Sequence, residues 1–293
     1  MRLRLYNYFL RLRGKYKTEN IFKPMFEVAG NQTDLKIQKL LIDSAHFIRK
    51  LYQQIGAKFI VTENNELIIE IDDIKIFIDC AEDLFIVNEV FNELTYNIKY
   101  DKPLVVIDVG MNIGTSTLFF LKNSNVKKIY GFEPVEFTFN KLIKNLEINN
   151  QLGNIEIENY GLGESDKIVE FEFSEDFKGS VGINGLSETK KNKSKYLRKV
   201  SVQLKDAYQE ILNIINQSSG TDILLKIDCE GGEYEILSRL SETGVLNRIK
   251  IIMLEWHGKK FIEDLNCLDK FSFFCFKNSS DTGMIYAIRN DAK

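Results

Sequence analysis

The chain has 293 residues, 44% of them hydrophobic, which is enough for one large domain with a full core plus an extension. Its 39 basic and 42 acidic side chains give a net charge of −3, which excludes the overall basic field typical of nucleic-acid binders. The four cysteines form no C-x-x-C pair, so we expect reduced thiols. The sequence contains no apolar run long enough to span a bilayer and no signal-peptide pattern, which predicts a cytoplasmic protein.

The first segment departs from this neutral balance. Residues 2–17 carry six basic side chains and no acidic one, and their spacing predicts an amphipathic helix. The favoured interpretation is a helix that docks on its own domain or on a partner chain. The alternative is peripheral contact with the inner membrane surface or with a lipid-linked substrate.

A second part of the extension has its own pattern. Residues 33–56 have the spacing of a helix, residues 58–79 read as short antiparallel strands, and a helix is expected from 83 to 95. Pro103 marks a boundary before an apolar strand. We therefore predict an extension at 1–100 and a main domain at 101–293.

The main domain begins with a glycine turn. An apolar strand at 105–109 includes Asp108 and runs into Gly110-Met111-Asn112-Ile113-Gly114. Glycines let a backbone pass close to a ligand, although such a turn is more often a tight strand-to-helix connection. Here the middle glycine of G-x-G-x-x-G is missing and a bulky methionine is present. A negative charge at Asp108 suits a ligand with a positive centre, so the turn favours S-adenosylmethionine over NAD.

A second element follows at Glu133, which ends a predicted strand at 129–132 and is fixed there by Pro134. It lies 23 residues after Gly110 (110 to 133), close to the ~20-residue spacing at which an acid accepts hydrogen bonds from a ribose. The alternative is a surface acid. The spacing between the glycine turn and Glu133 favours the ribose-binding role for this side chain.

Alternating strands and helices after this point predict a parallel sheet with right-handed crossovers. The turn 160–164 follows the third strand, which places Gly161 and Leu162 at the same sheet edge, beside an adenine. Residues 176–199 are expected to form a solvated loop, with a lid over an anionic acceptor as the alternative. The basic side chains of this segment are Lys190, Lys191, Lys193, Lys195, Arg198 and Lys199.

The next two strands end in groups that can move protons. Asp228 follows a predicted strand at 223–227, and Glu255 and His257 end a strand that begins at 249. In an open α/β sheet these ends face the crevice where ligands bind. The three side chains could deprotonate a hydroxyl, or Asp228 and Glu255 could hold a divalent cation such as Mg²⁺. Helix capping and ion pairing with lysines are the structural alternatives for Asp228 and His257.

Four motifs now stand in order: V-I-D-V-G-M-N-I-G-T-S, Y-G-F-E-P, L-K-I-D-C-E-G-G-E-Y-E-I-L and I-M-L-E-W-H. They resemble the FkbM family of S-adenosylmethionine-dependent methyltransferases over about residues 80–290. The resemblance implies an α/β, Rossmann-like class I methyltransferase fold with a mainly parallel seven-stranded sheet and a C-terminal antiparallel strand. It also implies that Glu133 holds the ribose. The cofactor's methionine end would be lined by Asp108, Gly110, Asn112 and Gly114.

The resemblance further implies O-methylation of a sugar, a glycan or a secondary metabolite. The residues after Asp228 depart from the N/D-P-P-Y signature of amino-methylating enzymes, which agrees with oxygen as the nucleophile. The expected acceptor is thus a small-molecule or lipid-linked glycan, not a nucleic acid. Two alternatives stay open: an NAD-dependent oxidoreductase, and a non-catalytic cofactor-binding scaffold in glycan assembly.

Overall fold

The computed structural model describes residues 26–28, 35–151, 153–180, 192, 197–258, 265–277 and 282–290. The helix predicted at 2–17 and the lysines at 190, 191, 193 and 195 lie outside these residues, so both predictions stand as made. The chain divides into two compact units, one of residues 1–95 with 144–150 and one of 96–143 with 151–293. The first unit therefore ends five residues before the predicted boundary at 100 and includes a segment from much later in the chain.

The first unit contains a four-stranded sheet of order β1-β2-β3-β4, in which β1 is parallel to β2 and the other pairs are antiparallel. The helix predicted over 33–56 is two helices, because the chain leaves helical geometry at the buried Ser44. A π-helical turn at Asn88–Asn92 follows the third helix. The elements are β1 (Phe26–Val28), α1 (Leu35–Asp43), α2 (Ala45–Ile55), β2 (Lys58–Val61), β3 (Leu67–Ile71), β4 (Ile74–Ile78) and α3 (Ala81–Val87).

The second unit alternates strands and helices. Its elements are β5 (Leu104–Val109), α4 (Thr115–Leu121), β6 (Val126–Phe132), α5 (Glu136–Ile148, whose last residues from 144 belong to the first unit), β7 (Ile155–Glu158), β8 (Gly161–Gly163), β9 (Lys167–Ser174), β10 (Leu197–Asp206), α6 (Ala207–Gln217), β11 (Asp222–Ile227), α7 (Glu233–Glu242), β12 (Ile251–His257), β13 (Phe271–Lys277) and β14 (Thr282–Arg289). Short 3-10 turns lie at Lys178–Ser180, Val245–Arg248 and Leu265–Leu268.

Seven of these strands form one sheet of order β13-β14-β12-β11-β5-β6-β7. Among these seven strands β14 alone runs opposite to the other six, which confirms the predicted class I methyltransferase architecture. All six residues of β5 are buried, as expected of a central parallel strand covered on both faces. On one face, α6 and α7 pack their apolar side chains against alternate residues of β5, β11 and β12. The opposite face carries Asp108 and Lys226.

The segment at 160–164 differs from the predicted turn. Residues 161–163 form β8, which pairs in parallel with β10, and β9 completes this three-stranded sheet. The predicted loop is therefore shorter than 176–199, because β10 already begins at Leu197. Its apolar residues recur with a period of two at Val200, Val202 and Leu204, which is the pattern of a strand with one buried face. Among the described residues, no helix is both long and apolar enough to cross a membrane.

Candidate functional site

The glycine turn is shaped by protein packing. Gly110 and Gly114 have φ values of 81° and 87°, which favour glycine. A Cβ on Gly110 would lie 1.8 Å from the carbonyl oxygen of Asp228, and one on Gly114 would lie 2.6 Å from Cδ1 of Leu142. These glycines therefore allow β11 and α5 to approach the turn, whereas the sequence suggested that they make room for a ligand.

Asn112 occupies the place of the missing middle glycine, and its φ of 52° is also left-handed. Its backbone N–H donates to Oε2 of Glu133 at 2.9 Å. Met111 is buried, and its Sδ would lie 2.0 Å from a Cβ on Gly131. The methionine thus fills space over β6 and does not crowd a ligand, so the part of the sequence argument that relied on its bulk is wrong.

Asp108 has a different setting from the predicted one. Its carboxylate is fully buried, with Oδ1 2.9 Å from Nζ of Lys226, and Oδ2 accepts hydrogen bonds from Ser116 Oγ and Thr117 Oγ1, both at 2.8 Å. Lys226 also donates to the carbonyl oxygen of Gly110 at 2.6 Å. Asp108 therefore anchors the turn through Lys226, since its carboxylate faces this lysine and the two hydroxyls.

Lys226 is the buried cation of the site. Burial alone would lower its pKa, but the charges of Asp108 and Asp228 outweigh burial and raise the pKa of this amine. Its Nζ lies 3.8 Å from Oδ2 of Asp228. One ammonium group therefore connects the glycine turn to the carboxylate that follows β11.

Glu133 projects from the end of β6 as predicted, and it is 6% exposed. In addition to Asn112, the N–H of Val135 donates to it, at 3.0 Å. Burial raises the pKa of Glu133 to about 7, although both backbone hydrogen bonds act in the opposite direction. The carboxylate thus changes its charge close to neutral pH.

A crevice brings most of the predicted cofactor residues together with one predicted catalytic residue. Its polar and backbone lining includes Gly110, Asn112, Glu133, Gly161, Leu162, Asp228 and Glu230. Phe132, Val135 and Leu204 supply apolar walls, and Lys178 lies at its side. Asp108, Gly114, Glu255 and His257 are not part of this lining.

Asp228 is held by Tyr96, from a distant part of the chain, and by Lys226, two residues before it. Its side chain is 28% exposed, and its Oδ2 accepts a hydrogen bond from the Tyr96 hydroxyl at 3.1 Å and lies near Lys226. Burial, followed by the charges of Asp228 and Glu255, raises the pKa of Tyr96 well above its usual value. The phenol therefore remains a donor. Sequence reasoning missed Tyr96, because nothing local distinguishes it from other tyrosines.

Asp228, Glu255 and His257 each offer one potential ligand atom, and these atoms lie within 4.8 Å of one another. The structure thus brings together the three residues predicted for catalysis. His257 Nδ1 is 2.9 Å from Oε1 of Glu233, and Nε2 is 3.5 Å from Oε2 of Glu230. Burial disfavours the imidazolium, but the Glu233 hydrogen bond and the charges of Glu230 and Glu233 raise the pKa of His257 to about 10. An imidazole that keeps its proton at neutral pH is not a base in this arrangement.

Glu233 is a second residue that sequence reasoning missed. It is fully buried, and its carboxylate accepts from the N–H of Gly231 through both oxygens, at 3.0 and 2.8 Å. The N–H of Cys229 also donates to it, at 3.3 Å. Glu233 therefore fixes the loop after β11 and orients His257. The K-I-D-C-E-G-G-E string contained this signal, since two glycines before a buried glutamate indicate a tightly held turn.

Comparisons with known proteins find relatives that are methyltransferases. The chain is 30% identical over 207 residues to methyltransferase sdnD of Sordaria araneosa, covering 62% of this chain and 78% of that protein. It is 26% identical over 189 residues to methyltransferase 1 of Beauveria bassiana, covering 58% and 74%. The crystal structure of methyltransferase FkbM from Methylobacillus flagellatus aligns with a TM-score of 0.46 and 12% identity. That alignment covers 84% of this chain, which spans only 59% of the crystallised one.

The family comparison covers more than half of the chain. The family described as methyltransferase FkbM domain matches residues 108–280, from the aspartate before the glycine turn to a point between β13 and β14 in the chain. This range contains the crevice lining, Lys226, Glu233 and the three residues predicted for catalysis. The chain belongs to the FkbM methyltransferase domain family.

Proposed function

We propose that this methyltransferase transfers a methyl group from S-adenosylmethionine to a hydroxyl of a sugar, glycan or secondary-metabolite acceptor. The observation that carries the proposal is the shared crevice, in which the glycine turn and Glu133 lie beside the carboxylate of Asp228. A methyl donor and a proton acceptor are needed side by side for transfer to an alcohol. Family membership supports methyl transfer over the NAD-dependent alternative.

The residues at one end of the crevice suit the proposed cofactor. Glu133 has lone pairs left after its two backbone hydrogen bonds, and these can accept from a ribose diol. Gly161 and Leu162 of β8 line the same crevice, which supports their assignment to the adenine. Carboxylates at Asp228 and Glu230 favour a cationic ligand. When bound, S-adenosylmethionine supplies an electrophilic methyl group on a sulfonium.

Asp108 enters the proposal in a changed role. Its carboxylate binds Lys226, and Lys226 holds the carbonyl of Gly110, so Asp108 supports the cofactor turn without touching the ligand. Gly114 contributes in the same indirect way, since its missing side chain lets Leu142 pack against the turn.

Asp228 is the proposed base. An alcohol is a weak nucleophile at neutral pH, so the site must align it and take up its proton as the new C–O bond forms and the bond from the methyl group to the sulfonium breaks, which leaves a neutral thioether. The Tyr96 hydroxyl fixes the orientation of the Asp228 carboxylate, and Glu255 is the second candidate for the proton. His257 is oriented by Glu233 and keeps its proton, so it is not a candidate for taking up the proton.

The experiment that tests the proposal combines binding with turnover. Cofactor affinity is measured by calorimetry, and transfer of a labelled methyl group is measured on sugars, glycan fractions and lipid-linked glycans. A methyl ester or a methylated amine in the product would contradict a hydroxyl acceptor. Mass spectrometry and the stability of the product in alkali distinguish these linkages from a methyl ether. Cofactor binding without transfer to any acceptor would favour the scaffold alternative.

The pH dependence of cofactor binding tests Glu133. Its pKa of about 7 means that the carboxylate is mostly protonated at pH 6 and ionised at pH 8. Ribose hydroxyls donate more strongly to the ionised form, so the affinity for S-adenosylmethionine is expected to rise about tenfold from pH 6 to pH 8. Glu133→Gln should bind more weakly and lose this pH dependence, as measured by calorimetry.

A matched control for this test is Glu158→Gln. Glu158 ends the neighbouring strand β7, is exposed, and loses the same charge on substitution. It should keep both the affinity and the pH dependence of the native protein. The same pH dependence in the Glu133→Gln variant would remove Glu133 from the cofactor site.

A metal-assisted reaction is the second candidate, and one observation favours it. Asp228 and Glu255 each offer one carboxylate oxygen within 4.8 Å of the other, and oxygen is the ligand that Mg²⁺ prefers, whereas His257 keeps its proton and has no lone pair to offer. A divalent cation there would lower the pKa of an acceptor hydroxyl. If this holds, exhaustive chelation should abolish turnover and added Mg²⁺ should restore it. Full turnover after chelation would leave Asp228 acting as a base alone.

A further inference from the structure

The hairpin of β13 and β14 exposes aromatic side chains at the edge of the main sheet. Phe274 is 66% exposed and Phe276 is 36% exposed, while Tyr286 is half-buried beside them. A single exposed aromatic residue needs no explanation, but a contiguous group of them usually marks a binding surface.

The three rings form one continuous row. The ring centroids of Phe274 and Phe276 are 6.0 Å apart, and those of Phe276 and Tyr286 are 5.9 Å apart with planes inclined by 23°. We call Phe274, Phe276 and Tyr286 the aromatic row. Its rings lie on the same face of the sheet, because Phe274 and Tyr286 are register partners and Phe276 is two residues from Phe274.

Strand register connects the aromatic row to the carboxylates of the site. Phe276 pairs with Met284, and Met284 pairs with Glu255. Phe276 and Glu255 are therefore two strands apart on one face, a separation of about 10 Å at the usual strand spacing. Tyr286 lies on this face as well, two residues from Met284, and burial followed by the charge of Glu255 raises its pKa to about 12.

We propose that the aromatic row is an acceptor subsite that stacks against the apolar face of a carbohydrate ring. The inference rests on the proposed function and narrows its acceptor class. A sugar ring stacked on Phe276 would lie about 10 Å from Glu255. This distance is enough for one further sugar ring, whose hydroxyl reaches Asp228 and Glu255. The acceptor is thus a glycan of at least two rings, and free monosaccharides are poor acceptors.

The combination of aromatic rings with carboxylates favours a carbohydrate as the ligand of the aromatic row. A carbohydrate offers C–H groups on one face and hydroxyl donors at its rim, which match stacked rings and carboxylate acceptors respectively. An anionic acceptor would meet repulsion from Asp228, Glu230 and Glu255. A purely hydrocarbon acceptor would bring no hydrogen-bond donor to these carboxylates.

The test measures binding by saturation-transfer NMR in the presence of S-adenosylhomocysteine, which cannot react. The probes are methyl glycosides of common hexoses and deoxyhexoses, as monosaccharides and as disaccharides. Phe274→Ala and Phe276→Ala remove rings of the aromatic row. Phe273→Ala is the matched control, because Phe273 is 46% exposed in the same strand but lies on the opposite face.

We expect at least one disaccharide to bind the native protein more tightly than its monosaccharides do. Each row variant should bind it about three- to tenfold more weakly, and Phe273→Ala should bind it like the native protein. Equal binding by all variants, or no binding of any glycoside to the native protein, would overturn the inference. A native dimer that dissociates in Phe274→Ala would overturn it as well, since the aromatic row would then be a subunit interface.

The outcome separates the inference from the proposed function. Saturation transfer reports binding without turnover, so a row-dependent disaccharide signal supports the subsite even if no methyl transfer occurs. If Phe274→Ala and Phe276→Ala leave the turnover on a glycan unchanged, the methyltransferase proposal stands and the subsite proposal is contradicted.

Discussion

Asp228→Asn is expected to lower methyl transfer by about a hundredfold or more, while the affinity for S-adenosylmethionine falls by a much smaller factor through the loss of one favourable charge. Asparagine keeps the shape of the side chain and can still accept from the Tyr96 hydroxyl, but it cannot take up a proton. General base catalysis typically contributes about 10²- to 10⁴-fold. The measurement is turnover of labelled cofactor on a transferable acceptor, with calorimetry reporting cofactor binding separately.

Two variants make the Asp228 result interpretable. Tyr96→Phe removes only the hydrogen bond that orients the carboxylate, so we expect a smaller loss of turnover and an unchanged requirement for Asp228. Glu170→Gln neutralises an exposed acid in β9 and should behave like the native protein. If Asp228→Asn turns over at the native rate, Asp228 is not the base, and Glu255→Gln becomes the next variant to measure.

The sequence predicted the strands and the acids at their ends because both follow local rules. A period-two or continuous apolar pattern identifies a strand, and in a parallel sheet the carboxyl ends meet at one edge. Glu133 and Asp228 could therefore be placed in one crevice from the order of elements alone. Glu255 and His257 came close to Asp228 for the same reason.

The partners of these acids could not be predicted, because they are set by long-range packing. Lys226 meets Asp108 only because β11 and β5 are neighbours in this register, with Lys226 opposite Asp108. Ion pairing of Asp228 with a lysine was among the alternatives from the sequence, and Lys226 lies 3.8 Å from it, but nothing local indicated the contact of Lys226 with Asp108. Similarly, the pairing of β8 with β10 depends on a crossover that no local pattern reports, so residues 161–163 read as a turn.

Lys226→Met is expected to destabilise the protein by about 3–5 kcal/mol, because it leaves the fully buried carboxylate of Asp108 without its cation. The hydroxyls of Ser116 and Thr117 bind the carboxylate but carry no charge, so they compensate only in part. Urea unfolding can be followed by the fluorescence of the single tryptophan, Trp256, which is fully buried.

The double variant Lys226→Met with Asp108→Asn distinguishes an unpaired charge from lost packing. Removing the Asp108 charge should recover a large part of the lost stability, whereas a packing defect would not be recovered. Lys128→Met breaks an exposed ion pair with Glu156 and should cost less than about 1 kcal/mol. If Lys226→Met costs no more than Lys128→Met, the buried pair is not what holds the glycine turn.

The same variants connect stability to cofactor binding. Lys226 donates to the carbonyl oxygen of Gly110, so its removal frees the turn that lines the crevice. The double variant, which restores stability without restoring this donor, should still bind S-adenosylmethionine more weakly than the native protein. If the double variant recovers stability but not cofactor affinity, Lys226 has two separate roles. It neutralises the charge of Asp108, and it holds the glycine turn in place.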